Sequence, residues 1–237
     1  MALDNRHVYR PLKLSRREPL ILNRCAGKRV LDLGFIDAGW TPERIAGGNL
    51  LHLWIKKAAS LLVGVDLDDS FRHLLPAENE NYRLFFGNVE DERMMSTLRE
   101  FDFDVVVAAE ILEHVDNPGL FLKSVKSVMK PEATLVLTVP NGLRHQNAAY
   151  VAQGVEMVHP DHNYWYSPTT IQTLLTKNGF HVENLAGYIF GPETREQLGP
   201  CGLGCPGLYV EATPTMPGEK ARRWGEGARV AAEAVTA

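Results

Sequence analysis

The sequence predicts an α/β fold, a doubly wound and mostly parallel sheet of seven strands with an antiparallel hairpin at one edge. Short apolar runs alternate with longer amphipathic stretches along the 237 residues, which is the order of βαβ units. Most of the apolar runs are hydrophobic nearly throughout, as expected of strands covered by helices on both faces. With 45% hydrophobic and 23% charged residues, the chain has the composition of a folded globular protein.

The predicted strands and helices follow one another in turn. Strands are expected at 29–33, 61–66, 82–86, 104–109 and 134–139, and the final hairpin pairs 180–187 with 208–213. Helices are expected at 43–59, 92–100 and 119–129. A further helix begins at Pro168, with Ser167 as its N-cap, and ends at Gly179. The connection 191–207 is predicted to be a loop.

The chain divides into three expected parts. Residues 1–27 contain a basic cluster, 13–17, and are predicted to form an N-terminal helical arm. Residues 28–213 form the α/β domain. Beyond Pro214 the sequence is rich in Gly, Ala and Glu, so 214–237 are expected to form a loose helix or a disordered tail.

Charge and hydropathy argue against some classes of partner. The chain has 25 Lys and Arg against 29 Asp and Glu, a net charge of −4, so no basic field is available to hold nucleic acid by its phosphates. No apolar run approaches the roughly 20 residues that a membrane-spanning helix needs. Three sparse cysteines and a polar N-terminus without a signal-peptide pattern favour reduced thiols and a cytoplasmic location. The oligomeric state is not predicted.

Two strand ends carry the residues of a nucleoside site. Gly34 follows the first strand, and a glycine there lets the backbone approach a ligand closely. Asp66 ends the next strand, where a carboxylate accepts hydrogen bonds from both ribose hydroxyls. Each residue alone is also consistent with an ordinary strand-to-helix turn or a helix cap. Their occurrence in order, at successive strand ends, favours nucleoside binding.

Further along, several short motifs occur in order. Residues 110–115 read Glu-Ile-Leu-Glu-His-Val, and residues 138–141 read Thr-Val-Pro-Asn. In these blocks the chain resembles the class I S-adenosylmethionine-dependent methyltransferases, and the resemblance extends over residues 28–187. It implies a Rossmann-like methyltransferase fold for 28–213, S-adenosylmethionine as the cofactor, and methyl transfer as the activity.

The same resemblance implies which residues hold the cofactor. Asp32 and Gly34 are expected to lie under its methionine part, and Asp66 to take the ribose. The other expected contacts, around the adenine and along the walls of the pocket, are Phe35, Gly39, Leu67, Asn88, Val89 and Glu110.

The glycine loop departs from the family pattern. Ile36 and Ala38 occupy its second and third glycine positions, and Gly39 falls one place late. The interval between the two aspartates also exceeds the roughly 20 residues usual for this kind of fingerprint, which predicts an extra helical turn or loop between 41 and 51. A non-catalytic binding protein that retains the fold is therefore one alternative.

Three histidines are candidates for the base that assists methyl transfer to a hydroxyl. Such a transfer needs alignment of the reacting atoms and benefits from removal of the acceptor's proton. The candidates are His114, His159 and His162, because imidazole titrates near neutrality. The aromatic run 164–166 suits a ring-shaped acceptor, so the expected partner is a small molecule or a saccharide. A helix cap for His114, and core or lid packing for the aromatic run, are the alternatives.

A metal-dependent O-methyltransferase is the other alternative. Glu110, Glu113 and His114 have the spacing Glu-x-x-Glu-His. Together with His162 they offer two carboxylates and two imidazoles, a set able to bind a divalent ion that lowers the pKa of an acceptor hydroxyl. This resembles the metal-dependent members that methylate RNA 3′ ends or catechols of quinone precursors. Many relatives share the spacing without a metal, so both versions stay open.

Overall fold

The computed structural model describes residues 7, 9–37 and 39–225, except for the side chain of Arg195. Its strands are β1 (Leu14–Ser15), β2 (Arg29–Leu33), β3 (Leu61–Asp66), β4 (Tyr82–Phe86), β5 (Phe103–Ala109), β6 (Met129–Pro140), β7 (Phe180–Tyr188) and β8 (Gly207–Pro214). Within the described residues they form one sheet in the order β1-β7-β8-β6-β5-β2-β3-β4. Neighbouring strands are parallel except for β8, which is antiparallel to both β6 and β7.

The predicted fold class is confirmed, and each of the seven predicted strands is present. Two details differ. Strand β1 is an eighth strand, in which Leu14 and Ser15 pair with Gly187 and Tyr188, and two residues are too few to give an alternating pattern. The antiparallel β8 lies inside the sheet, because β7 borders it on the outer side and β1 in turn borders β7.

The helices in the described part of the chain are α1 (Arg17–Cys25), α2 (Thr41–Ala46), α3 (Leu51–Ala58), α4 (Glu92–Leu98), α5 (Pro118–Ser127), α6 (His145–Ala152), α7 (Pro168–Lys177) and α8 (Arg195–Leu198). The predicted helix 43–59 is divided into α2 and α3. The chain turns at Gly47 and Gly48, and Gly48 has a left-handed φ of +68°. This turn falls in the segment where an extra turn or loop is expected.

Three helices differ in how well the sequence predicts them. Helix α7 begins as expected, because the Ser167 side chain accepts a hydrogen bond from the N–H of Thr170. Helix α6 is not predicted, since it buries none of its residues and so lacks an apolar stripe. Helix α8 has only four residues, within the predicted loop 191–207.

The core lies in two layers, one on each face of the sheet. One layer packs α4, α5 and α7 against the strands through Leu98, Phe121 and Ile171. The other packs α1 and α3 through Ile21 and Ile55. Because helices cover both faces, a ligand reaches this sheet at the ends of its strands.

Both ends of the described chain pack against the sheet and its helices. Helix α1 lies within the predicted N-terminal arm, whose residues 1–6 and 8 lie outside the described residues. Residues 215–225 form turns and irregular chain, and the N–H of Trp224 donates to the side chain of Gln172 at 3.0 Å. The rest of the predicted tail, 226–237, lies outside the described residues. No helix that the structure describes has the length and apolar composition needed to cross a bilayer.

Candidate active site

Two adjoining cavities open at the carboxyl ends of the parallel strands. The larger cavity has a volume of about 690 Å³ and is walled by residues that follow β2, β3, β4 and β5. The smaller cavity, of about 400 Å³, includes residues of α1 and α3. The two share the residues Gly34, Ile36, Asp37, Arg44 and Glu110. A crevice at this edge of an α/β sheet is the usual position of a ligand site.

Gly34 forms a close approach between the end of β2 and the segment after β5. Its φ is +63°, and a Cβ placed on it would lie 2.6 Å from Cδ1 of Ile111. Its N–H donates to the carbonyl of Val65 at 2.9 Å, which ties the loop to β3. Both the backbone conformation and the lack of space therefore favour glycine here.

The rest of the glycine loop differs from expectation. The side chain of Ile36 lines both cavities without closing them, and its backbone N–H donates to the carboxylate of Asp66 at 2.7 Å. Gly39 has a left-handed φ of +80° but is exposed and lines neither cavity, so the structure gives no support to its predicted cofactor contact. Ala38 lies outside the described residues.

Asp66 ends β3 beside the larger cavity. Its two carboxylate oxygens accept hydrogen bonds from the N–H groups of Ile36, at 2.7 Å, and Asp68, at 3.0 Å. Burial raises the pKa of this carboxyl, and the backbone hydrogen bonds oppose the shift. A carboxylate oxygen accepts more than one hydrogen bond, so both oxygens keep capacity for ribose hydroxyls. Leu67 lines the same cavity and is 75% exposed.

A further wall of the larger cavity comes from the loop after β4. Gly87, Asn88 and Val89 line it. The side-chain oxygen of Asn88 accepts a hydrogen bond from the N–H of Glu90 at 2.8 Å, which fixes the shape of the loop. The structure thus brings the predicted adenine neighbours to the same cavity as Asp66.

Asp32 and Phe35 line the smaller cavity and not the larger one. Asp32 is buried, and its carboxylate lies 2.8 Å from Nδ1 of His52. The ring of Phe35 packs in the core and stacks on His52, with ring centroids 4.2 Å apart. Phe35 is 6% exposed, so most of its ring packs in the core, and its predicted contact with the cofactor stays a prediction. The sequence alone does not distinguish His52 from a surface or packing residue.

Glu110 follows β5 with a left-handed φ of +55°, which is strained for a residue other than glycine. Its side chain lines both cavities. The hydroxyl of Tyr188 donates to Oε2 at 3.0 Å, and the guanidinium of Arg17 lies 3.9 Å from Oε1. Burial raises the pKa of Glu110, and the charge of Arg17 opposes the shift. Arg17 is a site residue that sequence analysis misses, because its position depends on the packing of α1.

Glu113 is a buried carboxyl that faces neither cavity. It is 1% exposed, and neither carboxylate oxygen has a hydrogen-bond partner among the described residues. Burial, together with the charge of Glu110, raises the pKa of Glu113 to about 9. A carboxyl with this pKa is protonated at pH 7, and Glu113 is not among the residues that line the larger cavity.

The three predicted histidines meet on one side of the larger cavity. The ring of His162 lies 4.6 Å from that of His114 and 5.3 Å from that of His159, between ring centroids. Burial lowers the pKa of His162 to about 4 and lowers that of His114 as well. Asn163 fixes the two segments to each other, because its N–H donates to the carbonyl of Glu113 at 2.7 Å.

The predicted metal ligands do not assemble as a set. The ligand atoms of His114, His159 and His162 all lie within 4.8 Å of one another, and this is the one such group found in the described part of the chain. The carboxylates of Glu110 and Glu113 are not part of it. Glu110 is engaged by Tyr188 and Arg17, and Glu113 is buried. Of the four predicted ligands, the structure therefore brings together His114 and His162, with His159 beside them.

The aromatic run 164–166, predicted to suit a ring-shaped acceptor, lies outside both cavities. Tyr164, Trp165 and Tyr166 line neither cavity. Tyr166 is buried and donates its hydroxyl hydrogen to the carbonyl of Leu112 at 3.2 Å. Trp40, which is 63% exposed, lines the larger cavity instead.

Comparisons with known proteins show the family to which this chain belongs. A family model described as a methyltransferase domain matches residues 6–185. The human mitochondrial ubiquinone biosynthesis O-methyltransferase is 26% identical over 215 residues, which cover 80% of this chain and 55% of that protein. The ubiquinone biosynthesis O-methyltransferase of Nitrosococcus oceani is 26% identical over 204 residues, which cover 81% of this chain and 80% of that protein. The chain thus spans about half the length of the mammalian relatives it matches.

Solved structures show the same fold. The magnesium protoporphyrin IX methyltransferase of Synechocystis, with bound S-adenosylhomocysteine, has a TM-score of 0.54 and 13% identity, covering 84% of this chain and 82% of that one. A methyltransferase of Methanosarcina mazei has a TM-score of 0.52 and 18% identity, covering 85% of this chain and 100% of that one. The chain therefore belongs to the methyltransferase domain family, among the class I S-adenosylmethionine-dependent methyltransferases.

Proposed function

We propose that this chain transfers a methyl group from S-adenosylmethionine to a hydroxyl of a small molecule or a saccharide. The observation that carries the proposal is the position of three histidines beside a cavity that has Gly34 and Asp66 on its walls. The printed names of the relatives, O-methyltransferases of ubiquinone biosynthesis, support a hydroxyl oxygen as the acceptor atom.

The charge of the larger cavity suits a sulfonium cofactor. In the described chain its wall contains one arginine, Arg44, which is already paired with Asp37. The same wall contains six acidic residues: Asp37, Asp66, Glu90, Glu110, Asp116 and Asp161. A wall of this sign favours a cation and repels an anion. We therefore expect an uncharged acceptor rather than a phosphorylated one.

Residues of the two cavities offer a place for each part of the cofactor. When bound, S-adenosylmethionine supplies the electrophilic methyl group. Asp66 accepts hydrogen bonds from its ribose hydroxyls, and Asn88 and Val89 border its adenine. In the smaller cavity, Arg17 and Asp32 offer opposite charges to the carboxylate and the ammonium of the amino-acid end.

The histidines are the proposed proton acceptors. Because the pKa of His162 lies at about 4, its ring is neutral at pH 7 and has a free nitrogen lone pair. One imidazole nitrogen takes the hydroxyl proton while the acceptor oxygen bonds to the methyl carbon and the carbon–sulfur bond breaks. A base of low pKa removes such a proton weakly, so we assign most of the acceleration to alignment of the reacting atoms.

The test is turnover by the purified full chain. The protein is incubated with S-adenosylmethionine and a panel of catechols, phenols and sugars, each with a phosphorylated counterpart, and release of S-adenosylhomocysteine is measured. The proposal predicts product with at least one uncharged hydroxyl compound and with none of the phosphorylated ones. Cofactor binding without turnover on any acceptor favours the non-catalytic alternative.

A divalent ion held by the histidines is the second candidate. The observation that favours it is the approach of three imidazole groups to within 4.8 Å, a donor set that suits Zn²⁺ or a similar ion. Such an ion lowers the pKa of a bound hydroxyl. Activity that is lost on chelation and restored by one divalent metal would support it, whereas activity unchanged by EDTA, with no metal in the purified protein, would exclude it.

A further inference from the structure

A row of three buried polar side chains runs inward from the smaller cavity. Asp32 Oδ2 lies 2.8 Å from Nδ1 of His52, and Nε2 of His52 lies 3.1 Å from the hydroxyl of Tyr82. The exposed fractions are 3% for Asp32 and 1% for each of the other two residues. Asp32 and His52 line the smaller cavity, so the row begins where the proposed amino-acid end of the cofactor lies.

The neighbours of His52 favour one tautomer of its ring. Burial raises the pKa of the Tyr82 hydroxyl above its ordinary value, so Tyr82 keeps its proton. His52 Nε2 is the hydrogen-bond partner that the described residues give to this hydroxyl, so Tyr82 donates to it. The imidazole proton is then on Nδ1, which donates to the carboxylate of Asp32. In this tautomer both ring nitrogens of His52 are hydrogen-bonded, and Oδ2 of Asp32 is an acceptor.

Packing holds the imidazole in this orientation. Phe35 stacks on His52 with an angle of 23° between the rings. On β3, a Cβ added to Gly64 would lie 2.7 Å from the His52 ring and 2.8 Å from the Phe35 ring, so glycine at this position leaves the room that the stacked pair fills. Because Phe35 directly follows Gly34, the stack also anchors the loop that lines both cavities.

We propose that His52 is a positioning residue, which holds the Asp32 carboxylate and the loop from Gly34 to Asp37 in the arrangement that binds the amino-acid end of S-adenosylmethionine. This inference rests on the proposed function. His52 acts through its Nδ1–H on Asp32 and does not need to touch the cofactor. Since His52 engages Oδ2, the other carboxylate oxygen of Asp32 remains available to pair with the ammonium group of the ligand.

The test compares two ligands that differ only at that end. S-adenosylhomocysteine carries the amino-acid group, and 5′-methylthioadenosine lacks it while keeping the nucleoside. Calorimetry on the full chain gives the affinity of each ligand for the wild type and for three variants, His52→Leu, His52→Asn and His73→Leu. The amide nitrogen of asparagine takes the place of Nδ1 as a donor, and His73 is an exposed histidine outside both cavities.

The expected result is selective. In His52→Leu the affinity for S-adenosylhomocysteine falls about tenfold or more, the size expected for loss of a hydrogen bond to a charged group. Its affinity for 5′-methylthioadenosine stays within about twofold, which also shows that the variant is folded. His52→Asn recovers most of the lost affinity, and His73→Leu behaves as the wild type.

Three results would overturn the inference: equal weakening of both ligands in His52→Leu, no weakening of either, or an asparagine variant as weak as the leucine variant. Equal weakening would show a general structural role for His52. If instead the wild type binds neither ligand, the proposed function fails before His52 is tested. The two failures are therefore distinguishable.

Discussion

The backbone N–H of Ile36 lies 2.7 Å from Oδ2 of Asp66 and donates a hydrogen bond to it. This bond joins the loop that departs from the family's glycine pattern to the carboxylate proposed to hold the ribose. Because the contact uses the backbone of residue 36, it does not require glycine there. The side chain of Ile36 leaves a cavity of about 690 Å³ open beside Asp66. The altered loop is therefore compatible with a cofactor site.

Gly34→Ala is expected to destabilise the fold by roughly 1–3 kcal/mol and to weaken cofactor binding. A left-handed φ of +63° is strained for alanine. The added Cβ would also lie 2.6 Å from Cδ1 of Ile111, so the Ile111 side chain would have to move. Urea unfolding measures the first effect and calorimetry the second. Gly39→Ala is the matched control, since its φ is +80° but nothing lies within 4 Å of an added Cβ. Equal losses of cofactor affinity in the two variants would contradict the role given to Gly34.

Glu113→Gln is expected to stabilise the fold increasingly as pH rises. The pKa of Glu113 is about 9 in the folded chain against an ordinary 4.5, so between these values the folded state binds one proton more than the unfolded state. The stability of the wild type therefore falls through this window, by up to about 1.4 kcal/mol per pH unit. Glutamine does not titrate. Urea unfolding at pH 5 and pH 8 should show an advantage of the variant that grows with pH, and an advantage independent of pH would contradict a buried, protonated Glu113.

His162→Ala is expected to lower kcat by about 100-fold, the lower end of the range for a general base, because its low pKa makes it a weak base. The affinity for S-adenosylhomocysteine should not change. Because the ring is already neutral above pH 5, the wild-type kcat should show no inflection from His162 between pH 6 and pH 8. His73→Ala, on the exposed surface, serves as the control. A loss of cofactor affinity as large as the loss of kcat would place His162 in cofactor binding instead.

The sequence predicts the sheet well because its signal is local. Strands buried on both faces read as continuous apolar runs, and the predicted strand 61–66 coincides with β3, which is buried along nearly its whole length. Features that depend on weak or tertiary signals are missed. Helix α6 has no buried residue to mark it, and the turn at Gly48 divides a stretch with helical periodicity.

The sequence predicts those site residues whose role follows from their place at the end of a strand. Gly34 and Asp66 belong to this class, and the structure brings both to one cavity. His52 and Arg17 are missed, because their importance comes from partners far along the chain. The aromatic run 164–166 has residue types that suit a ring-shaped acceptor but lines neither cavity, because residue type alone does not determine which way a side chain faces.

The central claim is that the cavity beside Asp66 binds S-adenosylmethionine, and titration calorimetry with this ligand tests it most directly. The wild type should bind in the micromolar range, and Asp66→Ala should abolish binding. The matched control is Asp68→Ala, which removes a half-buried carboxylate two positions away that lines neither cavity, and it should bind as the wild type does. A wild type that gives no binding heat, or an Asp66→Ala variant that binds as tightly as the wild type, would contradict the account.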